Sequence, residues 1–342
     1  MKNSKTYCLK KNKTAILYMA GVLFVILSAS FGMMLGSTPL SLTDILDAFR
    51  DGFRSSSGAR IFAYVRLPRT AAALLSGAAL SVSGAVIQGV LSNRLASPSI
   101  IGVNSGAGFA VTLATAMGIS GGWMMSLFSF AGAFGAVMAV SFGAKKWGAS
   151  RGTVILIGVA MNSLLGALSS TVSTLMPEVG VMSNDFRIGD FSAVTYPKLI
   201  PAAIIACAAL SVLFTLHNEL DVLTLGDENA KGLGMNTSLV RTVFLLLAAL
   251  LSGCAVSLAG LLSFVGLMVP HAVRRVAGNE SKGLMGLCAL YGAGFVCLCD
   301  TIARTVFSPY ELPVGIIMAY LGAPFFVFIL IKGKEGKAHD PA

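Results

Sequence analysis

Charge is scarce in this chain. Only 12% of its 342 residues are Asp, Glu, Lys or Arg, about half the ~25% usual for a soluble domain. The three histidines, His217, His271 and His339, stand far apart, and the six cysteines (Cys8, Cys207, Cys254, Cys288, Cys297, Cys299) form no CxxC pair. Most of those cysteines fall in apolar runs, where they serve as small apolar residues, so neither a disulfide framework nor a metal site is expected. His271, after Pro270, reads as a structural histidine because no second ligand lies near it in sequence. There is no GxxxxGK[ST] phosphate loop; the glycine-rich stretch from Gly102 to Gly108 lacks both the lysine and a preceding strand. A membrane-embedded enzyme would need His, Asp, Glu or Cys groups converging at one depth, and none is visible. An ion-coupled secondary transporter would need ionisable groups at mid-membrane. Asp300 instead lies near a helix end, four residues before Arg304 as its expected partner.

What fills the chain is apolar: 55% of residues are hydrophobic and 38 are glycine, a composition suited to helices packing closely in lipid. Apolar runs cover approximately 14 to 34, 69 to 91, 100 to 118, 122 to 143, 152 to 175, 196 to 216, 239 to 260, 261 to 277, 283 to 303 and 312 to 332. Residues 239 to 277 are almost continuously apolar. At about 1.5 Å per residue a single helix there would reach nearly twice the ~30 Å hydrocarbon core, so a break at Gly260 is predicted. Lysines before the first run and Ser28-Ala29-Ser30 resemble a cleaved signal peptide, but the run continues through Met34 to spanning length. The expectation is an all-α, polytopic membrane protein of about ten transmembrane helices, one domain over residues 1–342. With both termini inside, 17 of the 25 basic residues fall in inner segments, as the positive-inside rule requires. The net charge of +10 therefore implies no nucleic acid.

The segment AALLSGAALSVSG, from Ala72 to Gly84, recurs as AALLSGCAVSLAG from Ala248 to Gly260, identical at nine positions. In a ten-helix count the copies lie in helices two and seven and run oppositely, so helices two to five and seven to ten form an antiparallel internal repeat, an arrangement common in transporters. Ala73, Gly77, Ser81, Ala85 and Gly89 make a strip of small residues for ordinary helix packing. In helix five, Asn162, Gly166, Ser169, Ser170, Ser173 and Thr174 share one broad polar face. That face either lines a translocation path or packs with its hydroxyls bonded to the preceding turn. Between helices six and seven, residues 217–238 carry Glu219, Asp221, Asp227 and Glu228, then Gly232 and Gly234, a pattern of short helix, turn and short helix. Outside, five of the eight basic residues crowd between Arg50 and Arg69. An acidic partner, lipid headgroups or local ion pairs would each account for them.

Four ordered blocks resemble FecCD-type permeases, the membrane subunits of bacterial ATP-binding cassette (ABC) importers for iron complexes and vitamin B12. They are RLPRTAAALLSGAALSVSGAVIQGVLSNRLASPSIIGVNSGAG (Arg66 to Gly108), LGDENAKGLGMN (Leu225 to Asn236), FVGLMVPHAVRRVAG (Phe264 to Gly278) and DTIARTVFSPYELPVGIIMAYLGAPFFVFILIK (Asp300 to Lys332). The resemblance implies a subunit in the bacterial cytoplasmic membrane that pairs with a second permease as homodimer or related heterodimer. It also implies two cytoplasmic ATPase subunits that hold the ATP and Mg, this chain itself carrying no cofactor, and an extracytoplasmic substrate-binding protein. It assigns Arg66, Arg69 and Arg304 to docking of the binding protein. Gly226, Asp227, Ala230, Gly232 and Gly234 fall to coupling with the ATPase. It places helices five and ten, with Gly322, Ala323 and Pro324, near the dimer axis. Ferric siderophore is the first expected cargo, with cobalamin and haem as rivals.

Overall fold

In the computed structural model, described for residues 2–38, 40–41, 50, 56–119, 121–146 and 150–335, with side chains within 14–328 of that set, the elements are helical and no strand is present among the described residues. In order they are α1 (Lys2–Met34), α2 (Ser57–Ile61), a π-helical turn (Phe62–Arg66), α3 (Leu67–Val90), a 3-10 turn (Pro98–Ile101), α4 (Val103–Ala116), α5 (Gly122–Lys146) and α6 (Arg151–Leu175). Then come α7 (Pro177–Met182), α8 (Asn184–Ile188), α9 (Tyr196–Thr215), α10 (His217–Thr224), α11 (Asp227–Gly232), α12 (Thr237–Ala259), α13 (Val265–Ala277), α14 (Ser281–Thr305) and α15 (Val314–Glu335). The side chains of Lys2 to Lys13, Cys8, Arg54, Lys332, Lys334, Lys337 and His339, used in the sequence argument, lie outside those described.

Each of the ten apolar runs holds a helix, and among the described residues seven helices are long and apolar enough to cross a membrane. The runs at 100 to 118 and 261 to 277 were expected to be helical throughout. They hold helices of only 14 and 13 residues, about 20 Å at 1.5 Å per residue. The reasons are local. Pro98 opens a 3-10 turn that ends at Gly102 with φ 95°, a left-handed conformation that glycine takes without steric cost. Gly260 terminates α12 with φ 72° at the predicted break, and the chain stays non-helical to Phe264, itself left-handed at φ 66°. Gly322 makes room for that strained residue: a Cβ there would stand 2.3 Å from Phe264 Cγ.

α3 is the central helix, buried along most of its length. Its C-terminal end shares one end of the bundle with the start of α12, because Gly89 faces Leu220 and Thr224 of α10 while Arg241 of α12 reaches Asp227 of α11. At the other end Arg69 of α3 meets Asp190, whose N–H donates to Ala259 O at the end of α12. The two thirteen-residue segments therefore lie in antiparallel helices, in contact where Ser83 Oγ donates to Ala248 O at 2.8 Å. α3 packs against α14, α12 packs against α5, and α1 lies outside α14.

Small residues allow these approaches. A Cβ on Gly77 would stand 2.1 Å from Gly292 O, and one on Gly84 1.8 Å from Gly266 O. Neither position tolerates a methyl group without moving a neighbouring backbone, and overpacking of that kind costs about 1–3 kcal/mol. Gly84→Ala is accordingly expected to lower the thermal stability of the detergent-solubilised chain by that order; a wild-type melting profile would contradict the contact. Part of the predicted small-residue strip is a surface α14 uses: Gly77 and Ser81 lie against Gly292, whereas Gly89 faces α10.

Candidate functional site

Charge collects at the two ends of the bundle. At one end the π-helical turn carries Phe62–Arg66 directly into Pro68 in the first turn of α3, placing Arg66 and Arg69 at its entrance. The sequence suggested arginines offered to a partner. The structure places all three inside, with Arg66 3%, Arg69 4% and Arg304 2% exposed. Arg66 Nη1 donates to Met33 O at 3.0 Å and Met34 O at 2.5 Å, its Nη2 donates to Thr38 O, and Arg304 Nη2 donates to Gly32 O. Two guanidiniums thus satisfy the carbonyls that the C-terminus of α1 leaves unpaired.

Arg69 takes the carboxylates. It meets Asp300 at 3.0 Å, Glu311 at 2.6 Å and Asp190 at 3.7 Å. Arg304 adds its expected i,i+4 pair to Asp300 at 3.5 Å. Three arginines and three acids are therefore balanced in one cluster joining α3, α14, the 306–313 loop and the segment before α9. Burial by itself would raise the Glu311 carboxyl, but the Ser37 hydroxyl, donating to Oε1 at 2.7 Å, and the Arg69 guanidinium outweigh it and hold the group below the usual carboxylate range. Asp190 escaped the sequence argument because nothing in its loop marks it.

At the opposite end α10 and α11 form the predicted hairpin of short helices, joined at Gly226 with φ 109°. Gly234 follows α11 at φ 83°. Ala230 is fully buried and anchors α11, whereas Leu225 and Leu233 are 59% and 68% exposed. Gly232 is different: it is exposed, and an added Cβ would meet nothing within 4 Å. Asp227 is the hub. Both its oxygens accept from Arg241 Nη2 of α12 at 2.8 Å, and Arg151 Nη2 at the start of α6 stands 3.2 Å from Oδ1. The same Arg151 donates to Leu223 O at 2.8 Å and to Ser92 Oγ. Burial would raise the Asp227 carboxyl, but Arg241, then Arg151 and Lys231, hold it below its ordinary value. Nothing in the sequence spacing pairs Arg151 or Arg241 with Asp227.

On α6 the candidate path residues divide. Asn162 turns into the chain, donating to Ser99 O at 2.8 Å and accepting from Ser105 Oγ at 2.6 Å. Ser169 is buried, and Ser173 Oγ is buried without a hydrogen-bond partner. Gly166, Ser170 and Thr174 lie on the surface. The uncovered side of α6 is rotated from the predicted one and carries Leu156, Val159, Ser163, Ala167, Ser170, Thr171 and Thr174. Thr171 and Thr174 return their hydroxyl protons to the carbonyls of Ala167 and Ser170, so that side presents little free polarity. His271 is half-buried, with Nε2 lacking a partner, and among the described residues no three His, Cys, Asp or Glu side chains are grouped to hold a metal.

Similarity to known proteins extends along nearly the whole chain. The iron(3+)-hydroxamate import system permease protein FhuB of Bacillus subtilis (strain 168) is 34% identical over 325 residues, 94% of this chain and 84% of that protein. The vitamin B12 import system permease protein BtuC of Yersinia pseudotuberculosis serotype O:1b (strain IP 31758) is 32% identical, covering 83% of this chain and 85% of its own length. A solved metal-chelate type ABC transporter in an inward-facing conformation superposes with a TM-score of 0.80 at 29% identity, covering 93% of this chain and 99% of its own. Residues 22–332 match the FecCD transport family, and the chain belongs to that family of ABC transporter permeases.

Proposed function

We propose that this chain is the membrane-spanning subunit of an importer for an iron complex, ferric siderophore first, with haem and cobalamin as the alternative cargoes. The observation that carries the reading is the α10–α11 hairpin, bound through Asp227 to both α6 and α12. A partner that moves the hairpin moves two long helices with it. The two ATPase subunits seat there, one per permease chain, on a surface formed by the exposed Leu225, Leu233 and bare Gly232 together with Gly226, Asp227 and Gly234, with buried Ala230 holding α11 in place beneath it. Exposed Arg94, Lys145 and Lys146 at the same end favour a cytoplasmic hairpin in the bacterial inner membrane. The N- and C-termini then share that side.

Ten crossings follow if α4 and α13 complete their passages with irregular backbone sheltered by protein, since α15, at 22 residues, is itself of spanning length. The antiparallel α3 and α12, and their exchange of partners α14 and α5, support an inverted repeat. The uncovered side of α6 faces a second permease subunit across the path. A substrate-binding protein docks at the Arg69 end. There Arg66, Arg69 and Arg304 hold the rim, and exposed Arg60 on α2 offers the free charge that steers an acidic partner.

The test is reconstitution with the ATPase and binding protein, measuring ATP-driven uptake of ferric siderophore, haem and cobalamin in parallel. Uptake of the siderophore alone is expected; uptake of none with all partners assembled would overturn the reading. Gly232→Val supplies the paired control. It is expected to leave the melting profile intact, since an added Cβ meets nothing within 4 Å, while coupled uptake falls at least ~10-fold, equivalent to about 1.4 kcal/mol. Full uptake by that variant would remove Gly232 from the ATPase contact.

A further inference from the structure

Behind the hairpin lies a cavity of about 310 Å³ between the end of α3, α10, the end of α13 and the start of α14, whose polar lining includes Gln88, Ser92, Arg94, Arg274, Asn279 and Ser281. It contains two guanidiniums and no carboxylate. Arg69, Arg151, Arg241 and Arg304 each meet an acid. Arg94 and Arg274 form no ion pair among the described residues. Arg274 is nevertheless fixed in place, donating through Nη1 to Gln88 Oε1 and through Nη2 to Ala85 O at 3.2 Å, while Gln88 is itself held by donating to Gly266 O at 3.2 Å. Asp221, at the mouth, is committed to the Ser281 N–H at 3.0 Å. The charge of Arg94 bears on Arg274, and both bear with Arg275 on His271, so positive charge accumulates here with no carboxylate paired to either guanidinium among the described residues.

A half-buried, immobilised guanidinium without an anion is costly, and paired arginines suit the several oxygens of a phosphate group. We propose that this cavity binds a phosphate group, held by Arg94 and Arg274 with Asn279 and Ser281 as further donors. Its position at the membrane boundary admits two sources of the same chemistry, an anionic phospholipid headgroup or a free phosphate. Bound there, the group would join the hairpin to α13 and α14.

The full-length chain in neutral detergent would be titrated with inorganic phosphate by calorimetry. In parallel, it would be incorporated into vesicles of mixed phosphatidylglycerol and phosphatidylcholine and the retained lipid counted by native mass spectrometry. Arg94→Gln is expected to weaken phosphate binding or phosphatidylglycerol retention at least ~10-fold, Arg94→Lys to keep part of it, and Lys145→Gln, which removes an equal charge at the same end, to change neither. Phosphate binding without lipid retention assigns the site to a soluble anion. Selective retention of phosphatidylglycerol assigns it to lipid. Absence of both, or binding indifferent to Arg94→Gln, overturns the proposal. None of these measurements involves transport, so their failure leaves the importer reading untouched.

Discussion

Replacing Arg69 with methionine is expected to destabilise the chain by about 3–5 kcal/mol, the magnitude for leaving a buried charge without its partner. Asp300 is 1% exposed, and without Arg69 it would keep only the longer contact to Arg304 at 3.5 Å. Glu311 would retain Ser37 alone. The compensating variant makes the cause separable. Asp300→Asn in the Arg69→Met background removes the stranded charge and should recover part of the loss, whereas Asp300→Asn by itself leaves Arg69 under-compensated and should lower stability. Thermal unfolding of the four proteins completes the cycle, and strictly additive effects would refute the coupling. The acid response follows from Glu311. Its carboxyl is held below the ordinary range in the folded chain. Its stabilisation is therefore present above the unfolded value of about 4.3 and disappears as pH falls through the lower folded value, so stability from this group should not change between pH 7 and about 5.

The same cluster marks what the sequence could and could not disclose. Gly260 was legible as a helix end because no helix can run twice the thickness of the hydrocarbon core, and the short helices α10 and α11 followed from the acidic residues Glu219, Asp221, Asp227 and Glu228 with Gly232 and Gly234 after them. The Asp300–Arg304 pair followed from helical periodicity. The remaining partners of Arg69 did not: Glu311 is 242 residues away, and only the packing of α3 against α14 brings them together. Nor does an excess of arginine before α3 reveal that Arg66 and Arg304 cap the carbonyls of α1, because a side chain's acceptor is fixed by the neighbouring helix. On α6 periodicity finds a polar stripe but not its contacts: Asn162 bonds to Ser99 O and Ser105 Oγ and Ser169 is buried, while Gly166, Ser170 and Thr174 stay on the surface. Composition foretold the Gly84–Gly266 approach only as a general need for small residues.

Coupled transport should be most sensitive to Asp227. One carboxylate receives Arg241, whose side chain is 4% exposed, and Arg151, which also donates to Leu223 O. Asp227→Ala removes the acceptor for both and leaves Arg241 charged in a buried site, so α11 loses its mechanical link to α12 and the start of α6. If that link transmits the ATPase stroke, uptake per ATP hydrolysed in the reconstituted importer should fall by about 10²-fold, about 2.7 kcal/mol at 1.36 kcal/mol per decade. ATP hydrolysis itself should persist. Asp227→Asn keeps the shape and one acceptor oxygen and should fall between the variant and the wild type. The depressed Asp227 carboxyl gives an independent check. Its charged contacts are present above the unfolded value of about 3.9 and are lost only as pH drops through the lower folded value. The uptake-to-hydrolysis ratio should thus stay level from pH 7 to about 5. A parallel loss of uptake and hydrolysis in Asp227→Ala would instead mean that the carboxylate holds the ATPase in place and transmits nothing.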